Sequence, residues 1–164
     1  MNILVIAAHP DDEVLGCGGT IAKFVSEGNL VHSIIVAEGI TSRSKKRDRQ
    51  KKRRNLTDIK KDALKASKIL GIKKTKFLNM PDNRLDSINL IDIVKKIENI
   101  INKFKPNVIF THHAGDLNID HRIVHQAVMT ACRPHSVDFV EKIFFFENIS
   151  STEWQSISSN TYFK

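Results

Sequence analysis

Cysteine is scarce: Cys17 and Cys132 are the only two in 164 residues. They cannot build a disulfide framework, so a reducing cytoplasm is the expected compartment. No apolar run approaches the roughly 18–20 residues of a membrane span. The start, Met-Asn-Ile-Leu-Val-Ile, lacks the basic region and cleavage site of a signal peptide. Repeats are absent, and one basic run is the sole low-complexity tract. Charge imbalance is missing from most of the chain as well. The formal net charge of +8 sits in residues 43–54, which hold nine of 26 Lys/Arg and one of 18 Asp/Glu; the remainder carries 17 of each sign. That is one basic loop, not a global field for nucleic acid. No aromatic interrupts the run to stack bases.

The length suits a single domain with a real core. Apolar runs over residues 2–8, 30–37, 76–79, 108–111 and 142–146 read as five strands. Helical spacing fills residues 15–27, 57–70, 90–104 and 121–132. In the second of these, Ile59, Ala63, Ser67 and Leu70 form the inward stripe. The third is clearest, with Leu90, Val94, Ile97, Ile101 and Phe104 on one face and Ser87 as its expected cap. Strands alternating with helices predict an α/β, Rossmann-like three-layer sandwich with a mostly parallel sheet. The expected strand order is 3-2-1-4-5, which places a ligand crevice between the C-terminal ends of strands 1 and 4.

Two polar clusters fall at those ends. His9-Pro10-Asp11-Asp12-Glu13 follows the first strand, and His112-His113-Ala114-Gly115-Asp116-Leu117-Asn118-Ile119-Asp120-His121 follows the fourth. Crowded carboxylates repel one another and lose solvation, and are tolerated where a cation sits among them. A catalytic zinc takes three protein ligands and keeps one position open for water. The first loop can offer His9 plus Asp11 or Asp12; the second can offer His121. The remaining acid is then free to accept a proton, and Pro10 stiffens the turn.

His9-Pro10-Asp11-Asp12-Glu13 and Asp120-His121-Arg122 resemble the motifs of the PIG-L/LmbE-like zinc-dependent N-deacetylases, with likeness extending to about His135. The resemblance implies removal of an acetyl group from an N-acetylglucosamine-type sugar or its conjugate. It implies His9, Asp12 and His121 as zinc ligands (ferrous iron suits the same set) and Asp11 as general base. Several members carry a histidine where Asn118 stands; Asn donates a hydrogen bond but cannot cycle a proton. His112, His113 or Asp116 can substitute, and His113 and Asp116 are further placed at the substrate. Asp120 is expected to orient a histidine or Arg122, and Asp82, Asn83 and Arg84 to contact the sugar or a phosphate. Family members usually continue further. The chain is therefore read as one domain over residues 1–164, lacking part of the C-terminal region, with an exposed edge that favours a homo-oligomer.

Plainer readings compete. The first cluster can be a solvated turn with a helix cap, and His121 a surface helix start capped by Asp120. Glu13 reads as a first-turn residue, and one of His112 and His113 as a packed strand-end histidine. His32, His125 and His135 read as structural or exposed. Gly16-Cys17-Gly18-Gly19 is not a dinucleotide fingerprint; close helix–sheet packing explains it. The basic run reads as a mobile, solvated loop or helix start, or as a lure for the phosphates of a nucleotide-linked or lipid-linked sugar, with nucleic acid ranked last. In the alternative function, a catalytically silent module grips an anionic partner through residues 43–54.

Overall fold

Alternate side chains of the first strand point to opposite sides of a sheet, and both sides are covered. The computed structural model describes residues 1–43, 45, 47–133 and 139–154. Its strands are β1 (Asn2–Ala7), β2 (Leu30–Ala37), β3 (Lys74–Met80), β4 (Val108–His112) and β5 (Lys142–Phe146). Its helices are α1 (Asp12–Ser26), α2 (Arg53–Ile69), α3 (Leu90–Phe104) and α4 (Ile119–Ala131). The five strands form one sheet in the order β3-β2-β1-β4-β5, and every neighbouring pair is parallel. Leu4, Ile6 and Ala8 pack with Ile93, Ile97 and Ile101 of α3 and with Val124, Ala127 and Val128 of α4. Ile3, Val5 and Ala7 pack against Cys17 and Ile21 of α1 and against Ile72. The architecture is the expected three-layer α/β sandwich. Each fully buried Ile or Leu contributes about 1.5–3 kcal/mol.

Chain order reverses beside β1, whose Ile6 lies opposite Thr111 of β4. The loops leaving β1 and β4 therefore start side by side.

The structure moves several expected boundaries. α1 starts at Asp12, three residues early, because Asp12 and Glu13 occupy the first turn, where free N–H groups favour carboxylates. α2 starts at Arg53, absorbing the end of the basic run and adding Leu56 to its buried side. Ser87 does not cap α3. It closes a short 3₁₀ turn, Leu85–Ser87, and its Oγ donates to the Arg84 carbonyl at 2.7 Å. Leu90 is exposed, and Ile93 takes its place in the core. The cap of α4 is Asn118, not Asp120; Asn118 Oδ1 accepts the Asp120 N–H at 2.9 Å. The polar tail carries a 3₁₀ turn, Thr152–Trp154, where no element was expected. His135 lies outside the described residues. Of the other two set aside as structural or exposed, His32 stacks on Phe104, ring centroids 4.0 Å apart, and His125 meets Phe145 at 4.9 Å.

Within the glycine run only Gly16 needs its missing side chain, since a Cβ there would run into the Phe146 ring of β5. Among the described residues, nothing would lie within 4 Å of a Cβ at Gly19. Gly16→Ala is expected to cost about 1–3 kcal/mol through overpacking. Gly19→Ala is expected to stabilise by about 0.5–1 kcal/mol, because it only restricts the unfolded chain within a helix. Urea denaturation measures both signs.

Candidate metal centre and active site

The loop after β1 is tightly wound. His9 N–H donates to Asp12 Oδ2 at 2.7 Å, folding the carboxylate back over the turn. Asp11 N–H is held by the His9 carbonyl at 3.1 Å and by Glu13 Oε2 at 3.2 Å. These contacts fix Asp11 at φ 152°, a strained backbone of the kind that persists only when its surroundings determine it. Glu13 is fully buried, and burial pushes its carboxyl up to about 7. Gly39, at φ 83°, lies against the Pro10 ring, so the loop leaving β2 braces the turn.

Across the crevice, α4 delivers His121. The distances His9 Nδ1–Asp12 Oδ2, His121 Nε2–Asp12 Oδ2 and His121 Nε2–His9 Nδ1 are each 3.3 Å. With bonds of about 2.0–2.1 Å, two ligands of a tetrahedral ion stand about 3.3–3.4 Å apart. The triangle therefore has the size of one face of a zinc tetrahedron. Two other groups, His112 with Asp116 and His121, and His9 with Asp82 and Asp120, also come within metal-binding range. In both, the shared histidine turns its opposite nitrogen to a carboxylate. That is how acids beyond the ligand shell orient metal-binding imidazoles.

Those acids are built in. Asp120 Oδ2 lies 3.1 Å from His9 Nε2 and accepts Asn83 N–H at 2.7 Å, while its Oδ1 accepts Leu85 N–H at 3.1 Å. Asp120 thus orients His9 rather than Arg122, which donates to the carbonyls of Asp116 and Leu117 at 2.7 and 2.6 Å. Asp116, expected at the substrate, is buried on the other side of His121, with Oδ2 at 3.1 Å from Nδ1. Asp82 Oδ1 lies 3.4 Å from His9 Nε2, and its Oδ2 accepts Ser42 N–H at 2.8 Å.

The remaining expected residues divide. A crevice of about 270 Å³ is lined by His9, Asp11, Asp12 and His121 together with Asp82, Asn83 and Asn118. Arg84 and His113 are outside this lining; Arg84 donates to the Lys45 carbonyl at 3.4 Å. His112 is the packed strand-end histidine. It is fully buried, stacks on His121 with centroids 3.9 Å apart, and accepts Ala8 N–H on Nε2 at 2.8 Å. Burial pushes it down to about 3, so it stays neutral and cannot substitute as a proton donor through that nitrogen. Cys17 belongs to the core.

The basic run is more than a solvated loop. Glu38, buried at the end of β2, receives Arg47 at 2.7 Å, Arg49 at 2.9 Å and the Thr41 hydroxyl at 2.8 Å. Two of the nine cations are thereby internal counter-charges. Arg43, at the end of the turn Thr41–Arg43, reaches the crevice lining.

Residues beyond the expected set come from the stretch after β5. Asn148 Nδ2 donates to Asp12 Oδ1, and the Ser151 and Thr152 hydroxyls donate to Asp116 Oδ2 at 2.9 and 2.7 Å. The available signal was the same as for the other loops: polar side chains directly after an apolar strand.

A parallel sheet of this order, with a His-Asp-His triangle where chain order reverses, defines an α/β domain of the LmbE/PIG-L type. Residues 4–132 match the PIG-L family, described as GlcNAc-PI de-N-acetylase, and the chain belongs to it. It is 35% identical over 137 residues to "Uncharacterized deacetylase YaiS" of Escherichia coli, covering 80% of this chain and 68% of that protein. It is 30% identical over 132 residues to "Probable N-acetyl-alpha-D-glucosaminyl L-malate deacetylase 2" of Bacillus cereus, covering 79% and 60%. The crystal structure of conserved protein TT1542 from Thermus thermophilus superimposes with a TM-score of 0.72 at 26% identity, covering 89% of this chain and 66% of that one. The chain thus spans about two thirds of the length of these proteins.

Burial pulls the His9 and His121 imidazoles down. Hydrogen bonds to Asp12 and Asp120 nonetheless carry His9 up to about 10, and those to Asp116 and Asp12 carry His121 up to about 9. These raised values favour protonated rings, whose protons a bound dication would displace. Zinc uptake at pH 7 is therefore expected to release one proton from each ring, with apparent affinity rising with pH up to about 9–10. Calorimetry in buffers of different ionisation enthalpy measures the release; uptake without protons would contradict it.

Proposed function

We propose that this chain is the catalytic domain of a zinc-dependent hydrolase that removes the acetyl group from an N-acetylglucosamine-type sugar or conjugate. The single observation that carries the reading is the 3.3 Å triangle of His9, Asp12 and His121 with Asp11 in the same crevice. His9, Asp12 and His121 would hold zinc, which would lower the pKa of water and polarise the acetamide carbonyl; ferrous iron suits the same donors.

The chain's own groups do the rest. Asp11 takes a proton from the attacking water as its oxygen bonds to the carbonyl carbon. Burial and the neighbouring Asp12 charge raise the Asp11 carboxyl above its ordinary value. The C–N bond then breaks, and Asp11 returns the proton to the departing nitrogen, giving acetate and a free amine. Asp11 serves as both base and acid because the other candidates are committed or, like His113, lie outside the crevice lining. Asn118 Oδ1 caps α4, His112 is neutral in the core, and Asp116 is bound to His121. Asp120 and Asp116 hold the two imidazoles in register.

Asn83 at the crevice supplies a polar contact for sugar hydroxyls, while both Asp82 oxygens are already engaged by His9, Asn83 and Ser42. Arg43 favours a conjugate carrying a carboxylate or phosphate, and the Bacillus cereus relative is named for such a malate conjugate. The silent binding module is the weaker reading, because the crevice holds the His9, Asp12 and His121 group and two of the nine cations, Arg47 and Arg49, pair with Glu38. Among the described residues no helix is long and apolar enough to cross a membrane.

Asp11→Asn tests the reading. Acetate release from N-acetylglucosamine conjugates is expected to fall by about 10²–10⁴ with zinc content unchanged, and anionic conjugates are expected to show higher kcat/KM than the free sugar. A variant that keeps wild-type turnover would overturn the role of Asp11.

A further inference from the structure

The family match ends at residue 132, yet a five-residue turn beyond it reaches two of the three triangle residues. We propose that residues 148–152 are a positioning element for the metal centre, an inference that rests on reading His9, Asp12 and His121 as its ligands.

Asp12 has two carboxylate oxygens with different tasks. Oδ2 faces His9 Nδ1 and His121 Nε2, each at 3.3 Å. Oδ1 is taken by the side-chain amide of Asn148, which is itself 2% exposed. The Asn148 amide fixes the rotation of the carboxylate, with Oδ2 toward the two imidazoles and Oδ1 toward the turn. Asn148 therefore keeps Asp12 to one coordinating atom and leaves a position for water and substrate.

The other end of the turn acts on His121. Thr152 Oγ1 donates to Asp116 Oδ2 at 2.7 Å and accepts Asn148 N–H at 2.8 Å. Ser151 Oγ donates to the same carboxylate oxygen at 2.9 Å and lies 3.3 Å from His121 Nδ1. Asp116 in turn holds His121 Nδ1 at 3.1 Å. The turn is closed on itself by Ser151 and Thr152 N–H groups donating to the Asn148 carbonyl at 2.9 and 2.8 Å. One short segment therefore sets the carboxylate that binds and the carboxylate that aims an imidazole. All these groups are buried, so each lost donor leaves an acceptor unsatisfied.

The test is zinc affinity of the full chain, measured by competition with a chromophoric chelator, alongside far-UV spectra of the metal-free proteins. Thr152→Val keeps the shape and removes the hydroxyl; zinc affinity is expected to fall about 10–100-fold. Thr152→Ser keeps the hydroxyl and is expected to restore affinity close to wild type, which a purely space-filling role would not do. Asn148→Ala is expected to weaken affinity by about tenfold or more. Should Asn148→Ala fail to fold, the Thr152 pair decides alone. Wild-type protein that takes up no zinc would overturn the underlying reading of the site. Wild-type protein that binds zinc, with Thr152→Val binding within about twofold of it, would overturn the positioning role alone.

Discussion

One carboxylate oxygen carries the arrangement. Asp12 Oδ2 faces the His9 N–H, the His9 ring and the His121 ring within 3.3 Å. Asp12 is almost fully buried, and burial alone would push its carboxyl up; hydrogen bonds from the two histidines instead hold it well below the usual range. A buried anion survives only with positive charge and donors around it. The fold supplies these from residues more than a hundred positions apart in the chain. Much of the molecule's polar interior exists to satisfy the same requirement one layer further out, in Asp116, Asp120 and the turn after β5.

The sheet makes that convergence cheap in entropy. β1 and β4 are hydrogen-bonded neighbours with chain order reversing between β1's two sides, so their following loops need no long excursions to meet. Apolar packing on both faces, Ile93, Ile97 and Ile101 on one and Ile21 and Ile72 on the other, fixes the strands. The loops are thereby rigid enough to hold strained backbone at Asp11. The basic segment joins the same system through Glu38 and through Ser42, whose N–H binds Asp82 beside His9.

What could be read from the chain followed from local rules. Apolar strands, helical stripes and the switch between β1 and β4 gave the strand order, and short loops after those strands placed His9, the Asp11–Asp12 pair and His121 together; the choice of Asp12 as ligand came from the resemblance to the family's motif. Orientation was not legible. Asp116 and Asp82 are acids in polar loops, and nothing local says whether such a group faces solvent, substrate or a histidine ring. Asn118, one turn before His121, lines the crevice, but nothing local showed that its Oδ1 also caps α4. Glu38, a lone acid between Ala37 and Gly39, showed no sign of the two arginines that converge on it. Asn148, Ser151 and Thr152 looked like an ordinary polar tail because their partners lie on other elements, a pairing that only tertiary structure reveals.

The account stands or falls on whether two distant loops hold one ion. Zinc content after equilibrium dialysis of the wild-type chain and of His9→Ala and His121→Ala is the most direct measurement. One ion per wild-type chain, lost in both variants while each keeps its fold, is the expected result. Undiminished zinc in either folded variant would contradict the shared site.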